Sequence, residues 1–259
     1  LEDRLKKRLI IFGSIGVSVQ CLRWLMARED VHIIGVVCSR APMSAWRAAI
    51  GDEDMQQVAP TLGIPLLTLD DILRLEADIG LSVRFHELLR SEHIARFRYG
   101  VVNLHGAPLP EMRGAMCNIM AILENRQQFG TSLHWMDDGI DSGNIIDVRR
   151  FPIEPHHTAY DLFCRANELG LELIRQWLPS IVEGTAPSCP QTEVAKELGI
   201  SVKTYYKNQI QNYKEIKQGA NPNELWNTVR AFHFPGHTPA YIKTPYGDVT
   251  LQVASGSDN

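Results

Sequence analysis

Asn103 and His105 stand two residues apart in the run Val101-Val102-Asn103-Leu104-His105-Gly106, separated by the apolar Leu104. On a strand both would point to one face. Gly106, Pro108, Pro110 and Gly114 then stop regular structure. A neutral amide and an imidazole would therefore sit at the C-terminal end of a buried strand, where open α/β sheets bind their ligands. A second stretch, 131–144, reads as a strand that ends in the acidic, glycine-punctuated loop Asp137-Asp138-Gly139-Ile140-Asp141-Ser142-Gly143. An Asn can donate to a developing oxyanion, and a His can carry a proton. An Asp can orient that His and stabilise its charged form.

These groups need a scaffold. Leu9-Ile10-Ile11-Phe12 is a continuous apolar run, as expected of a strand buried on both faces. Gly13-Ser14-Ile15-Gly16 follows, then a helical pattern through Leu22, Leu25 and Met26. This opening lacks both G-x-G-x-x-G and a Walker A sequence. Ser14 to Gly16 reads either as a helix N-terminus beside a substrate phosphate or sugar, or as a tight turn. Strands are expected at 31–37, 63–67, 79–83 and 100–104, and an irregular stretch at 38–50. Helices are expected at 51–62, after Thr68, and at 92–98 with Ser91 as cap. Strands alternating with helices predict an α/β fold, a doubly wound and mostly parallel sheet.

Beyond Gly114, a helix over 118–123 carries Asn118 on its first turn, close enough to the loop to touch a substrate. Strands over 131–136 and 145–153 flank the acidic loop. His134 reads as a solvated or core-edge residue. Thr158 and Asp161 form a capping-box pattern. Leu162, Ala166, Leu169, Leu173 and Trp177 then repeat at helical spacing, with Pro179 bending or ending the helix and Gly184 stopping it. His156-His157 lack the spacing and the third ligand of a metal site, and no metal is expected. Residues 187–221 turn polar, with lysines between tyrosines; a solvated connector is favoured over a nucleic-acid surface. A helix from Pro222 and a hairpin across Pro245-Tyr246-Gly247 close the chain. The expected division is a core over 1–186 and a smaller C-terminal region over 187–259.

The bulk composition narrows the function classes. With Lys+Arg 26 against Asp+Glu 30, the net charge of −4 argues against a polyanion partner such as nucleic acid. No apolar run has the length of a membrane span, so no membrane partner is expected. The charged N-terminal run, residues 1–8, does not resemble a secretory signal. The five cysteines lack C-x-x-C pairing, which fits reduced thiols and a cytoplasmic location.

The segments N-L-H-G-A-P-L-P-E-M-R-G and M-D-D-G-I-D-S-G, in this order and spacing, resemble the signature of the folate-dependent formyltransferases. That family includes enzymes acting on methionyl-tRNA, glycinamide ribonucleotide and nucleotide-linked amino sugars. The resemblance spans about Arg8 to Gly184 and implies a Rossmann-like formyltransferase core. It implies N10-formyltetrahydrofolate as co-substrate and Asn103, His105 and Asp141 as catalytic residues. His105 would take the amine proton or, when charged, also stabilise the oxyanion. Phe85, Glu87, Leu88 and Leu89 would form one wall of the folate pocket, with Asp138, Gly139 and Ile140 opposite. Ser14, Arg113 and Asn118 would meet the acceptor.

The pattern Leu225-Trp226-x-x-x-Arg230-Ala231-Phe232, with Pro235-Gly236 and Ala240-Tyr241-Ile242 beyond it, is similar to the C-terminal region of sugar N-formyltransferases. It implies that Phe232, Phe234 or Tyr241 stacks a base and that Arg230 meets a phosphate. The chain ends about 75 residues past Gly184 and is acidic. On that basis the expected acceptor is a nucleotide-linked amino sugar rather than tRNA or glycinamide ribonucleotide. A dTDP-linked 3- or 4-amino dideoxyhexose of bacterial surface-polysaccharide (O-antigen) synthesis is expected, handled by a homodimer. A formyltetrahydrofolate hydrolase and a non-catalytic folate-binding module are the alternatives from other classes.

Overall fold

The computed structural model describes residues 6–254. The first five residues of the charged N-terminal run, and the last five of the chain, lie outside the described residues. The elements alternate as expected. Strand β1 (Lys7–Phe12) leads into α1 (Gly16–Met26) and β2 (Val31–Val37), then α2 (Ala45–Ala49), α3 (Met55–Thr61) and β3 (Leu66–Leu67). Next come α4 (Leu69–Ile72), β4 (Ile79–Val83), α5 (Ser91–Ile94), β5 (Val101–His105) and β6 (Arg113–Gly114). The middle of the chain holds α6 (Cys117–Leu123), β7 (Gln128–Trp135), β8 (Ile145–Pro152) and α7 (Ala159–Glu183). The remainder forms α8 (Gln191–Leu198), β9 (Thr204–Tyr205), α9 (Lys207–Ile210), α10 (Pro222–Ala231), β10 (Ala240–Thr244) and β11 (Gly247–Leu251).

Seven strands form one sheet in the order β3-β2-β1-β4-β5-β7-β8. Pairing is parallel from β3 through β5, and β7 and β8 add antiparallel at the far edge. The chain steps to one side of β1 for β2 and β3, then crosses to the other side for β4 and β5. That reversal is the crevice where doubly wound sheets take ligands. Alternation along β1 sorts its side chains: Leu9 and Ile11 join the core under α1 and α7, while Ile10 and Phe12 join the opposite one. In β5, Leu104 belongs to the α7 side. A side chain at Gly170 would stand 2.7 Å from Leu104 Cδ2, so α7 lies close on the sheet because a glycine faces the strand. Asn103 and His105 consequently point to the other face.

Local signals account for several helix ends. Thr68 and Thr158 each close a capping box, with Asp71 and Asp161. Gly184 ends α7 in the left-handed region, as its position after the apolar stripe predicts. Several boundaries differ from the sequence expectation. Residues 38–50 are not wholly irregular, since they contain α2. Helix α3 starts at Met55 because the Asp54 carboxylate accepts the Gln56 N–H and caps it. Ser91 is the first helical residue of α5, not its cap; Arg90 N donates to His93 Nδ1 instead. Pro179 neither ends nor interrupts α7, which runs on for another turn.

The region beyond residue 187 shares a core with the main sheet. Tyr205, Ile210, Ile216, Val229, Phe232 and Ala240 pack in one cluster with α6, Phe129, Phe151 and the first half of α7. Strand β9 pairs in parallel with β6, which ties this region to the loop that follows His105.

Candidate active site

Strand β5 ends on His105, and β7 lies beside it with Asn103 opposite His134 and His105 opposite Ser132. The β7 hydroxyls hold the loop after β5. Thr131 Oγ1 donates to the His105 carbonyl at 2.9 Å, and Ser132 Oγ donates to the Ala107 carbonyl at 2.8 Å. Leu109 N donates back to Ser132 Oγ at 2.8 Å. The loop after β7 returns over the same face and brings in Asp141, whose backbone stands in the left-handed region at φ 49°.

The structure brings Asn103, His105 and Asp141 together, and adds His134. Asp141 Oδ2 accepts the Gly114 N–H at 2.9 Å and lies 3.4 Å from His105 Nδ1. Its Oδ1 lies 3.5 Å from His134 Nε2 and accepts from Asn103 Nδ2 at 3.3 Å. The other nitrogen of His105, Nε2, is 2.7 Å from the Met112 carbonyl, which can only accept, so Nε2 carries hydrogen. Likewise His134 Nδ1 faces the Trp135 carbonyl at 2.8 Å and carries hydrogen. His134 Nε2 is thus free to accept from Asn103 Nδ2 at 3.0 Å, and Ser82 Oγ donates to Asn103 Oδ1 at 2.7 Å. Asn103, His105 and His134 are buried. The network is closed: both N–H donors of the Asn103 amide are engaged.

Burial pushes the His105 pKa below its ordinary value, against the opposing pull of Asp141. Burial would raise the pKa of Asp141, but the charge that the adjacent His105 and His134 take up on protonation, and the hydrogen bond from the Gly114 N–H, outweigh it. They hold the carboxyl well below the usual carboxylate range. The site therefore rests as a neutral imidazole beside a carboxylate. With Nε2 protonated, Nδ1 is the basic atom, and it faces Asp141. Cys117 lies under the same loop, but burial pushes its thiol up to about 12, so it is no nucleophile.

Arg113 Nε donates to Gln191 Oε1 at 2.9 Å. The buried Gln191 amide in turn donates to the carbonyls of Asp141 at 2.8 Å and Gly143 at 2.7 Å. Gln191 therefore holds the acidic loop from the C-terminal region, although it opens a stretch that reads as a polar connector. His134 corrects the sequence expectation more directly: it is a buried partner of Asn103 and Asp141, not a solvated or core-edge residue.

The residues expected around folate divide by exposure. Phe85 and Leu89 pack in the core below the loop after β4, with the Phe85 ring 5.8 Å from that of Phe12. Glu87 is exposed, and Leu88 stands 59% exposed on that loop. On the other loop Asp138 and Gly139 are exposed, and Ile140 is 47% exposed next to Asp141. Exposed apolar side chains and open backbone on the loops beside the trio fit a flat heterocycle with hydrogen-bonding edges. Among the described residues, no group of three or more His, Cys, Asp or Glu is arranged to hold a metal ion.

The acceptor residues fare less evenly. Ser14 is buried, and its hydroxyl accepts the Ser39 N–H at 2.9 Å. The helix end beside it is already capped, because Gly16 N donates to Asp52 at 3.0 Å. Arg230 is likewise engaged within the chain. Its guanidinium is buried, donating to Asn227 Oδ1 at 2.9 Å and to the His157 carbonyl at 2.8 Å. Phe232 is a core residue at 3% exposure and has no free ring face for a base. Asn118 spends a donor on the Ala159 carbonyl at 2.9 Å. Phe234 joins an aromatic cluster with Trp46, Tyr160 and Phe163. Tyr241 is half-buried on β10, its backbone paired with Lys214 and Ile216.

The formyl transferase family model matches residues 22–178. The methionyl-tRNA formyltransferase of Staphylococcus aureus (strain N315) is 28% identical over 195 residues, covering 72% of this chain and 62% of that protein. The chain thus spans less than two thirds of the length of the curated relatives it matches. The structure of WlaRD, a sugar 3N-formyl transferase in the presence of dTDP and 5-N-formyl-THF, superposes with a TM-score of 0.74 at 25% identity. It covers 89% of this chain and 80% of its own. The Helicobacter canadensis N-formyltransferase, in complex with folinic acid and dTDP-3-aminofucose, gives 0.73 at 26% identity, over 87% and 80% of the two chains. With the matched segment running through the strand that carries Asn103 and His105 and the loop that carries Asp141, the chain belongs to the formyl transferase family.

Proposed function

We propose that this protein moves the formyl group of N10-formyltetrahydrofolate onto the amine of a nucleotide-linked amino dideoxysugar, with dTDP-linked 3- or 4-amino dideoxyhexoses first among the acceptors. The observation that carries the reading is the buried His105, set between the Met112 carbonyl at 2.7 Å and the Asp141 carboxylate at 3.4 Å. Such an imidazole is neutral at rest and has two acceptors waiting for its protonated form. Bound formyltetrahydrofolate supplies an electrophilic carbonyl carbon for attack by the amine. His105 Nδ1 takes the amine proton, and Asp141 stabilises the resulting imidazolium. Asn103 donates to the formyl oxygen by releasing its longer bond, the one to Asp141 at 3.3 Å. His134 holds the Asn103 amide in place. Leu88 and Ile140 cover the heterocycle.

The likeness to two sugar N-formyltransferases at 25% and 26% identity supports the sugar acceptor. In this reading the protein works in the cytoplasm as a homodimer, in the synthesis of a bacterial surface polysaccharide. A second reading, methionyl-tRNA as acceptor, is favoured by the 28% identity to the Staphylococcus aureus protein. The net charge of −4 weighs against it. Incubation with N10-formyltetrahydrofolate and a panel of dTDP-, GDP- and UDP-linked amino sugars, beside charged initiator tRNA, decides by mass spectrometry. A formylated nucleotide sugar is expected. Formyl-methionyl-tRNA, or formate alone, would overturn the sugar reading.

A further inference from the structure

Arg84 is the first residue after β4, and it stands in the left-handed region at φ 56°. That bend turns its side chain across the top of β5. An added Cβ on Gly106, the residue after His105, would lie 1.5 Å from Arg84 Nη1 and 2.5 Å from Cζ. The guanidinium therefore occupies the place a side chain at 106 would take. Its Cζ sits 5.1 Å from the centroid of the Phe163 ring on α7, which supports it as a cation–π shelf. Arg84 is half-buried, yet among the described residues its guanidinium makes no hydrogen bond and no ion pair. A largely desolvated cation that no carboxylate touches directly is costly to hold unless a ligand supplies the contact.

The charges around the trio show what is missing. At rest Arg84 and Asp141 balance, and His105 is neutral. Each feels the other: Asp141 supports the charge on Arg84, and Arg84 opposes a charge on His105. When His105 takes a proton, the site carries two cations and one anion. A single carboxylate, Asp141, cannot balance both. One more negative charge, brought by the reactants, restores the balance. The helix end at Gly16, the other place on this edge for an anion, is filled by Asp52.

We propose that Arg84 is the anion-binding residue of the reaction site, pairing with a negatively charged oxygen of the reactants beside Gly106 and His105. This rests on the formyl-transfer reading. Two sources share that chemistry. One is the formyl oxygen: as the amine nitrogen bonds to the formyl carbon, the carbonyl π pair moves onto oxygen and the amine proton goes to His105. The π bond then reforms, the bond from carbon to the folate nitrogen breaks, and that nitrogen regains a proton from His105. The other source is a phosphate oxygen of the nucleotide-linked acceptor.

The test uses the full chain with N10-formyltetrahydrofolate and dTDP-3-aminofucose, and compares Arg84→Gln, Arg84→Lys and Gly106→Ala. The last keeps the arginine but drives its guanidinium from its seat. If the formyl oxygen is the partner, Arg84→Gln and Gly106→Ala lower kcat on the order of 10²–10³-fold with KM for the sugar unchanged, and Arg84→Lys recovers part. If the phosphate is the partner, KM rises and kcat holds. Either result supports the assignment. Two readouts do not depend on turnover. Folinic acid affinity stays unchanged in all three variants, and the His105 pKa by NMR titration rises in Arg84→Gln. Wild-type kcat and KM in Arg84→Gln, or an unmoved His105 titration, would overturn the assignment alone. No turnover of any acceptor by the wild-type chain would overturn the formyl-transfer reading and this assignment with it.

Discussion

In the proposed reaction the chemistry turns on His105, and its surroundings set what each substitution is expected to do. In the proposed reaction, replacing His105 or Asn103 by Ala removes the base or the oxyanion donor, and kcat is expected to fall on the order of 10²–10³-fold. Asp141→Ala is expected to fall as far, because the imidazolium loses its counter-charge. Circular dichroism should show the fold intact in all three; wild-type turnover in any of them would remove that residue from the mechanism. The pH dependence follows from the same geometry. Only neutral His105 can accept a proton, and burial lowers its pKa. The acid limb of kcat/KM should therefore lie below the ordinary imidazole value of about 6.5, with full activity at neutral pH. A limb above that value would contradict the neutral resting state. At this scale the sequence shows the three side chains, because Asn103 and His105 share a strand and Asp141 sits among glycines. It does not show His134. Seeing that residue requires the β5–β7 register, which sets Asn103 opposite it across two strands. Arg84 is equally hidden, since its bearing depends on a positive φ that nothing in its residue type requests.

The elements that carry the site are legible to differing degrees. The parallel core strands and α7 announce themselves through apolar runs and a capped stripe. The two-residue strands β6 and β9 do not, because they carry too few side chains to form a pattern. Yet their pairing places the Gly114 N–H on Asp141. Gly114 has φ +88°, and a Cβ there would lie 2.2 Å from the Tyr205 carbonyl oxygen. Gly114→Ala is expected to part β6 from β9, costing about 1–2 kcal/mol from the backbone alone. For a chain of this size that is a fall in Tm of roughly 2–8 °C. The Asp141 carboxylate would lose a donor, so kcat should drop as well. An unchanged Tm by calorimetry would mean that the pairing contributes nothing. Arg230 and Phe232 lie at the end of α10, where Arg230 bonds the 154–157 backbone and Phe232 packs into the core with α6, placements that their spacing does not show.

For the molecule as a whole, the C-terminal region and the main sheet share one core, and Gln191 reaches from that region to the acidic loop. Stability and site integrity should therefore fail together on acidification. The folded pKa of His105 is depressed, so the unfolded chain binds its proton first, and this stability is present above about pH 6.5 and declines below it. Asp141 is also depressed; its contribution is present above about pH 4 and is lost as pH falls further. Tm should thus decline below about pH 6.5 and decline again in the carboxylate range, and Asp141→Asn should flatten the second step. A Tm that rises on acidification would reverse the assigned signs.

The most direct measurement follows N10-formyltetrahydrofolate and dTDP-3-aminofucose by mass spectrometry, with the wild-type chain beside His105→Ala. The proposed mechanism predicts a formylated nucleotide sugar from the wild type and almost none from the variant over the same time. No formylated sugar from the wild type, or equal product from both, would contradict it.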